Sequence, residues 1–376
     1  MRILFVLENY VPHIGGVEVL FQNLSENLAK RGHSVTILTH RIKNTRQKEI
    51  INRVNVVRVN CFHSRYLFSL FAIPKAIKLA KEHDIINTTT FTGVFPAWIA
   101  SKITKKPNVL SVMEVWIGRW RKITEAGIIS SFLHNFSEKI IYKFKFDKYT
   151  AISKSTAKQL VDIGIDKNKI KVVYPGINYE HWNPSKYDEV KIRKKLNLNK
   201  NFIYFFYGRP GISKGLEYLI KAVPLISKKI KNSLLVAIVS KDKTYEKRYK
   251  YILDLIKRLK IQDKVLLIEP VSYNELPNYI KMADCVVVPS LAEGFGFTTV
   301  ESCAMGKPVI ASKVGSIPEV ISGKYVLVKS RSAEAIAKGV EMIYNNRFMK
   351  SELKKFELEE NVKGYLEIYN NLIKNQ

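Results

Sequence analysis

Short runs of β-branched and aromatic residues alternate with amphipathic stretches along the chain. Arg2–Leu7, Ser34–Thr39, Val54–Asn60, Asp84–Thr88, Asn108–Met113, Lys148–Ile152 and Ile170–Tyr174 read as strands. Helical periodicity falls between them, over Val17–Arg31, Ala72–Lys81, Gly93–Ile103 and Ile128–Phe146. A second series of strands covers Phe202–Tyr207, Ser233–Val239, Val265–Glu269, Cys285–Pro289, Pro308–Ser312 and Val326–Val328. Its helices are expected at Lys214–Lys229, Thr244–Lys260, Tyr273–Lys281, Thr298–Met305 and Ala333–Tyr344. Near-continuous apolar strands separated by helices imply parallel sheets covered on both faces. Two such series predict an α/β chain of two doubly wound, Rossmann-like domains. Open sheets bind ligands at the carboxyl ends of their strands, so two sheets facing each other would place a site in the cleft between them.

The break between the series lies in residues 174–188, YPGINYEHWNPSKYD, which has two prolines, a glycine and no period. The predicted domains are residues 1–175 and 176–356, followed by a C-terminal helix within 357–376. Val362, Tyr365, Leu366, Tyr369 and Leu372 give that helix an apolar face that needs a surface to cover.

Length agrees with this division, since 376 residues at roughly 150 per domain favour two. The apolar share of 46% is that of a folded chain and argues against disorder. No apolar run is long enough to span a membrane, and the first apolar run reads as a strand rather than a signal peptide. The three cysteines, Cys61, Cys285 and Cys303, are odd in number and far apart. They form neither a disulfide framework nor a CxxC pair, which points to a reducing, cytoplasmic compartment.

Charge changes the picture. The net charge is +29, with 28 Lys and Arg against 12 Asp and Glu in residues 1–177 and 34 against 21 in residues 178–376. Both halves are basic, so a basic tail is excluded. An anionic partner fits: a membrane surface, a nucleic acid or a phosphorylated ligand. A lysine-rich composition of no functional meaning fits equally, and the abundance of Ile and Asn accords with it. No basic recognition helix, zinc finger or RNA-recognition signature is present, so specific nucleic-acid binding is not expected.

Candidate chemistry concentrates in three turns. In residues 289–319, a strand ends at Pro289 and a helix begins near Thr298. Gly294 and Gly296 lie between, with Glu293 in the loop and Glu301 one turn into the helix. Glycines let backbone N–H groups approach a ligand, and the helix N-terminus favours an anion such as a diphosphate. A carboxylate just beyond suits sugar or ribose hydroxyls. In YGRPGISKG, Arg209 and Lys214 stand between a strand end and a helix start, where two cations can hold a diphosphate leaving group. The first turn carries the Gly15–Gly16 pair but no GxGxxG, which disfavours a nicotinamide cofactor. Neither a P-loop, nor HExxH, nor DxD occurs, so no metal is expected. GISKG matches a nucleophile elbow at Ser213, but every histidine precedes it, against the Ser–acid–His order of α/β-hydrolases.

Two aromatic groups complete the inventory. Trp116, Arg119, Trp120, Arg121 and Lys122 form an aromatic-basic cluster of the kind suited to a membrane interface. With the basic first half, it suggests docking on anionic lipid. Phe132, Phe136, Ile140 and Phe144 recur every four residues and read as a core-facing helix stripe.

In this order, Gly15–Gly16, Tyr174-Pro-Gly-Ile-Asn178, Arg209 with Lys214, Pro289–Ser290, Glu293-x7-Glu301 around Gly294, Phe295 and Gly296, Gly306-Lys-Pro-Val-Ile310 and Pro318–Glu319 resemble the retaining glycosyltransferases of family 4, also called glycosyl transferases group 1. The resemblance spans nearly the whole chain. It implies the GT-B architecture, with an acceptor-side domain first, a nucleotide-sugar domain second and a C-terminal helix crossing back to the first. It implies transfer of a sugar from a nucleotide-diphosphate sugar, most often UDP- or GDP-linked, to a sugar or lipid-linked acceptor. The reaction would be hexosyltransferase-like, metal-independent and free of any cofactor. The basic first half and the Trp/Arg cluster, rather than the resemblance, place the protein at the inner face of the cell membrane as a peripheral protein. By resemblance, Arg209 and Lys214 would hold the diphosphate, Glu293 the donor sugar and Glu301 the ribose. Backbone amides from Phe295 through Phe297 to Thr298 would surround the sugar and phosphates. Gly16 would bind the donor near its phosphates and also lie near the acceptor, with Gly15 and Glu114 on the acceptor side. One position departs from the pattern. Met113 or Glu114 stands where many relatives carry a histidine facing the donor sugar. The alternatives are a sugar-nucleotide epimerase or a phosphorylase of related fold, and, from a different class, a basic nucleic-acid-binding protein.

Overall fold

The computed structural model describes every residue except Ile14, His63 and Gln376, and every described side chain except those of Arg65 and Lys243. The chain divides into two compact units. The first comprises residues 1–118, 128–176 and 356–376, and the second residues 119–127 and 177–355. Residues 119–127, inside the expected range 1–175, group with the second unit, and the C-terminal segment, whose last residue lies outside the described ones, groups with the first.

The first unit contains β1 (Arg2–Val6), β2 (Ser34–His40), β3 (Lys48–Ile51), β4 (Val54–Val59), β5 (Ile85–Thr89), β6 (Asn108–Val112), β7 (Lys148–Ala151) and β8 (Ile170–Val172). They form one sheet in the order β3-β4-β2-β1-β5-β6-β7-β8, parallel except at the β3 edge. Strand alternation explains why both faces are buried. Ile3 and Phe5 pack on one side with Phe21, Leu24 and Leu28 of the helix Gly16–Lys30. Leu4 and Val6 pack on the other with Phe68, Ala76, Ala97 and Ala100. The C-terminal helix, Leu358–Lys374, covers the first face with Val362, Tyr365, Ile368 and Tyr369. Its two tyrosines reach a polar layer inside the unit. Asn87 Nδ2 donates to Tyr369 Oη at 2.7 Å, and Tyr365 Oη lies 3.1 Å from Ser111 Oγ.

The second unit contains β9 (Phe202–Gly208), β10 (Ser233–Val239), β11 (Val265–Ile268), β12 (Cys285–Val288), β13 (Val309–Ser312), β14 (Lys324–Val328) and β15 (Met349–Lys350). The order is β11-β10-β9-β12-β13-β14-β15, parallel except at β15. Strand order reverses at β9, between β10 and β12, which is the topological switch point where doubly wound sheets bind ligands.

The stripe at Phe132, Phe136 and Ile140 corrects an expectation. The helix spans Ile128–Ile141, and Phe132 and Phe136 are 68% and 56% exposed rather than in the core. Its inward face is polar instead, because the loop after β6 needs hydrogen-bond acceptors. Buried Glu138 accepts from the Trp116 N–H at 2.8 Å, and Asn135 accepts from the Gly118 N–H at 2.6 Å. Trp120 corrects another. It is only 8% exposed and so cannot present its ring to a lipid surface. Among the described residues, no helix is long and apolar enough to cross a membrane.

Candidate active site

The site is built where β9 and β12 end side by side. Beyond β9, Arg209 leads through Pro210 and Gly211 into a 3-10 turn, Ile212–Lys214, and then the helix Leu216–Lys229. Gly215, at φ +67°, closes that turn. A Cβ there would stand 1.9 Å from the Pro289 carbonyl oxygen, so only glycine allows the two loops to meet. The Leu291 N–H then donates to the Ser213 carbonyl at 2.7 Å and fixes one loop against the other.

This junction joins Lys214 to Glu293. Lys214 Nζ lies 2.8 Å and 3.0 Å from the two oxygens of the Glu293 carboxylate. The pair is largely out of solvent, with side chains 24% and 10% exposed. Glu293 is held from its other side by the loop after β13. Its carbonyl accepts the Ser316 N–H at 3.1 Å and the Ser316 hydroxyl at 3.2 Å. Gly315, at φ +50°, permits that approach, since a Cβ would come within 2.1 Å of the same carbonyl. Arg209 is exposed and makes no ion pair among the described residues; its guanidinium lies 5.8 Å from the Tyr245 ring centroid. One cation is therefore neutralised by a carboxylate and the other is available to an anion.

The helix Phe297–Ala304 starts beside this pair, with Gly296 as its N-cap and no capping side chain. The Thr299 N–H donates to the Gly296 carbonyl at 2.9 Å, while the Phe297 and Thr298 N–H groups at the helix start carry the positive end of the dipole. Phe295 is buried against Phe297, ring centroids 5.0 Å apart, so its side chain belongs to the core and only its backbone can face a ligand. One turn on, Glu301 Oε2 accepts from the Tyr207 hydroxyl at 2.9 Å. Removal from water pushes the Glu301 carboxyl up to about 7, against the opposing pull of the Tyr207 hydrogen bond and the Lys214 charge. Burial likewise pushes the Tyr207 hydroxyl well above its ordinary range.

Arg209, Lys214, Glu293, Glu301 and the segment from Gly294 through Phe297 to Thr298 thus gather in the second unit. Gly15, Gly16 and Glu114 stand in the first. Gly15 is the N-cap of the helix that Gly16 opens, where Glu18, in the first turn, pairs with His13 at 3.2 Å. Glu114 follows β6 and is half-buried. Sequence reasoning missed Tyr207 and Ser316, which hold Glu301 and Glu293. Tyr207 carried a signal, a hydroxyl near the end of an apolar strand two residues before Arg209. Ser316 carried none. Among the described residues, no three His, Cys, Asp or Glu side chains cluster as a metal site would require.

Comparison with known proteins adds an independent line. Residues 14–181 match the Glycosyltransferase Family 4 model, and residues 188–363 match the glycosyl transferases group 1 model. An uncharacterized glycosyltransferase of Methanocaldococcus jannaschii is 29% identical over 360 residues, covering 92% of this chain and 90% of the relative. Sucrose-phosphate synthase of Thermosynechococcus elongatus superposes with a TM-score of 0.80 at 19% identity, covering 100% of both chains. Anabaena HepE, solved with UDP and glucose and also with UDP-glucose, superposes with a TM-score of 0.75 at 18% identity, covering 99% of this chain and 100% of that one. At these identities the likeness to the solved structures is one of fold.

Proposed function

Because the chain belongs to the GT-B glycosyltransferases, Family 4 in its first half and group 1 in its second, we propose that it transfers a hexosyl group from a UDP- or GDP-sugar to a sugar or lipid-linked acceptor, with retention at the anomeric carbon and without a metal. The observation that carries this reading is the grouping of Arg209, Lys214 and a side-chain-free helix N-terminus at the switch point of the second sheet. Ligands bound by HepE support a nucleotide-sugar donor.

As the C1–O bond to the diphosphate breaks, negative charge builds on the departing phosphate oxygens. Arg209 and Lys214 face that charge with fixed cations, and the N–H groups of Phe297 and Thr298 add oriented dipoles. These contacts strengthen in the transition state, so they raise the rate rather than merely tighten binding. Glu293, already paired with Lys214, accepts hydrogen bonds from donor-sugar hydroxyls. Glu301 accepts from the ribose. The acceptor oxygen bonds to C1 on the face the leaving group vacates, and its proton passes to the leaving phosphate oxygen. Most of the acceleration then comes from charge stabilisation and positioning.

The experiment is thermal denaturation in the presence of UDP-, GDP- and ADP-sugars. One of them at about 100 times its Kd adds roughly 2.7 kcal/mol and raises the midpoint. Arg209→Ala loses most of that shift. No shift with any sugar nucleotide, or an equal shift in Arg209→Ala, contradicts the proposal.

A further inference from the structure

The helix Ile128–Ile141 is amphipathic in the wrong sense for a core helix. It buries Ser131 and Glu138 and turns Ile128, Ile129, Phe132, Leu133, Phe136 and Ile140 outward, all of them exposed. Large apolar side chains rarely gather on one exposed face without a partner. We propose that this outward face docks the protein on an anionic lipid bilayer.

Charge selects that occupant. The helix carries a single carboxylate, Glu138, and it is buried, so the exposed face presents no negative charge. Lys139 on the helix and Lys143 and Lys145 just beyond it are exposed. Phe144 ties this end to the helix Val94–Thr104, with ring centroids 4.9 Å from Trp98 and 5.8 Å from Phe95. That helix adds exposed Lys102, Lys105 at its C-cap and exposed Ile103. Apolar residues flanked by lysines are the composition of a helix lying in the headgroup plane, where apolar side chains enter the acyl boundary and cations meet lipid phosphates. At 14 residues the helix is about 21 Å long, too short to cross a bilayer of about 30 Å. A second copy of the chain fits less well. An isologous contact through this face would bring two sets of lysines and no carboxylate of this helix's exposed face into one interface.

The test is flotation of the full-length protein with phosphatidylcholine vesicles and with equimolar phosphatidylcholine–phosphatidylglycerol vesicles, at low salt and at about 0.5 M salt, where the Debye length shrinks to roughly 4 Å. The protein floats with the anionic vesicles, and salt weakens its partitioning at least tenfold. Phe132→Ser with Phe136→Ser, at exposed positions and with an unchanged far-UV spectrum, lowers partitioning at least tenfold. Lys139→Gln with Lys143→Gln and Lys145→Gln lowers it similarly and blunts the salt effect. Three outcomes overturn the proposal: equal binding to both vesicle types, unaltered binding of the double Phe variant, or no flotation with the anionic vesicles, whether or not the chain forms a dimer that the double Phe variant abolishes.

Discussion

Lys214 and Glu293 form a two-pronged ion pair across two loops that follow different strands, Nζ at 2.8 Å and 3.0 Å from the carboxylate oxygens. The pair neutralises Lys214 and holds both groups near the switch point of the second sheet; on the proposed reading, the diphosphate competes with Glu293 for the lysine.

The two cations should therefore respond differently to removal. Arg209→Ala deletes an exposed side chain without an ion-pair partner among the described residues and leaves the thermal midpoint unchanged. Lys214→Ala strands a carboxylate that is only 10% exposed and lowers stability by about 1–3 kcal/mol. Both lower turnover by about 10²-fold or more, the effect of a lost transition-state contact. Adding Glu293→Gln to Lys214→Ala restores the midpoint but not the turnover. Denaturation curves and initial rates on the four proteins check this; wild-type rates in either single variant contradict it.

Glu301 gives the site a pH dependence with opposite signs for folding and binding. Its carboxyl is protonated more readily in the folded chain, at about 7, than at its ordinary value of 4.5. The folded state thus holds a proton the unfolded chain has released. This contribution to stability is full below 4.5 and is lost as pH rises through about 7. On the proposed reading, ribose hydroxyls donate to the ionised carboxylate, a stronger acceptor than its protonated form, so nucleotide affinity rises as pH climbs from 5.5 to 8, by up to about tenfold per unit below 7. Calorimetric titration with the nucleotide across that range checks it. Glu301→Gln flattens the profile, and an unchanged profile in that variant contradicts the assignment.

The C-terminal helix is fastened by its tyrosines to different degrees. Tyr369→Phe leaves the buried Asn87 Nδ2 without its acceptor and costs about 1–3 kcal/mol. Tyr365→Phe costs less, because Ser111 and Thr150 keep each other at 2.9 Å. Urea titration of the two variants gives the order, and a larger loss for Tyr365→Phe contradicts it.

On the proposed reading, the fixed cations Arg209 and Lys214 offset the diphosphate charge without a metal, so activity survives EDTA. Complete loss of activity on chelation, restored by Mg²⁺ or Mn²⁺, contradicts that view.

The parallel strands were legible because each is an apolar run between helical periods. Thirteen of them, β1, β2 and β4 through β14, match expected strands to within two residues at their ends. The antiparallel edges β3 and β15 were not, being two to four residues long and carrying exposed Lys48 and Lys350. The helix Ile128–Ile141 shows a different limit. Periodicity finds an apolar stripe but does not say which way it faces, and here the loop amides of Trp116 and Gly118 claim the polar side. At the candidate site, the residues near the ends of β9 and β12 were visible as glycines, cations and carboxylates in turns. The pairing of Lys214 with Glu293 was not, because it joins residues 79 apart in sequence. Tyr207 with Glu301, 94 apart, was hidden for the same reason.

The most direct measurement of the central claim is proton NMR of the sugar first released when the protein slowly hydrolyses its preferred α-linked sugar nucleotide, with water standing in for the acceptor. Retaining transfer releases the nucleotide diphosphate with the α-anomer appearing before mutarotation, at a rate that Arg209→Ala lowers by about 10²-fold. Initial release of the β-anomer, or conversion of the sugar nucleotide into an isomer with no nucleotide released, contradicts it.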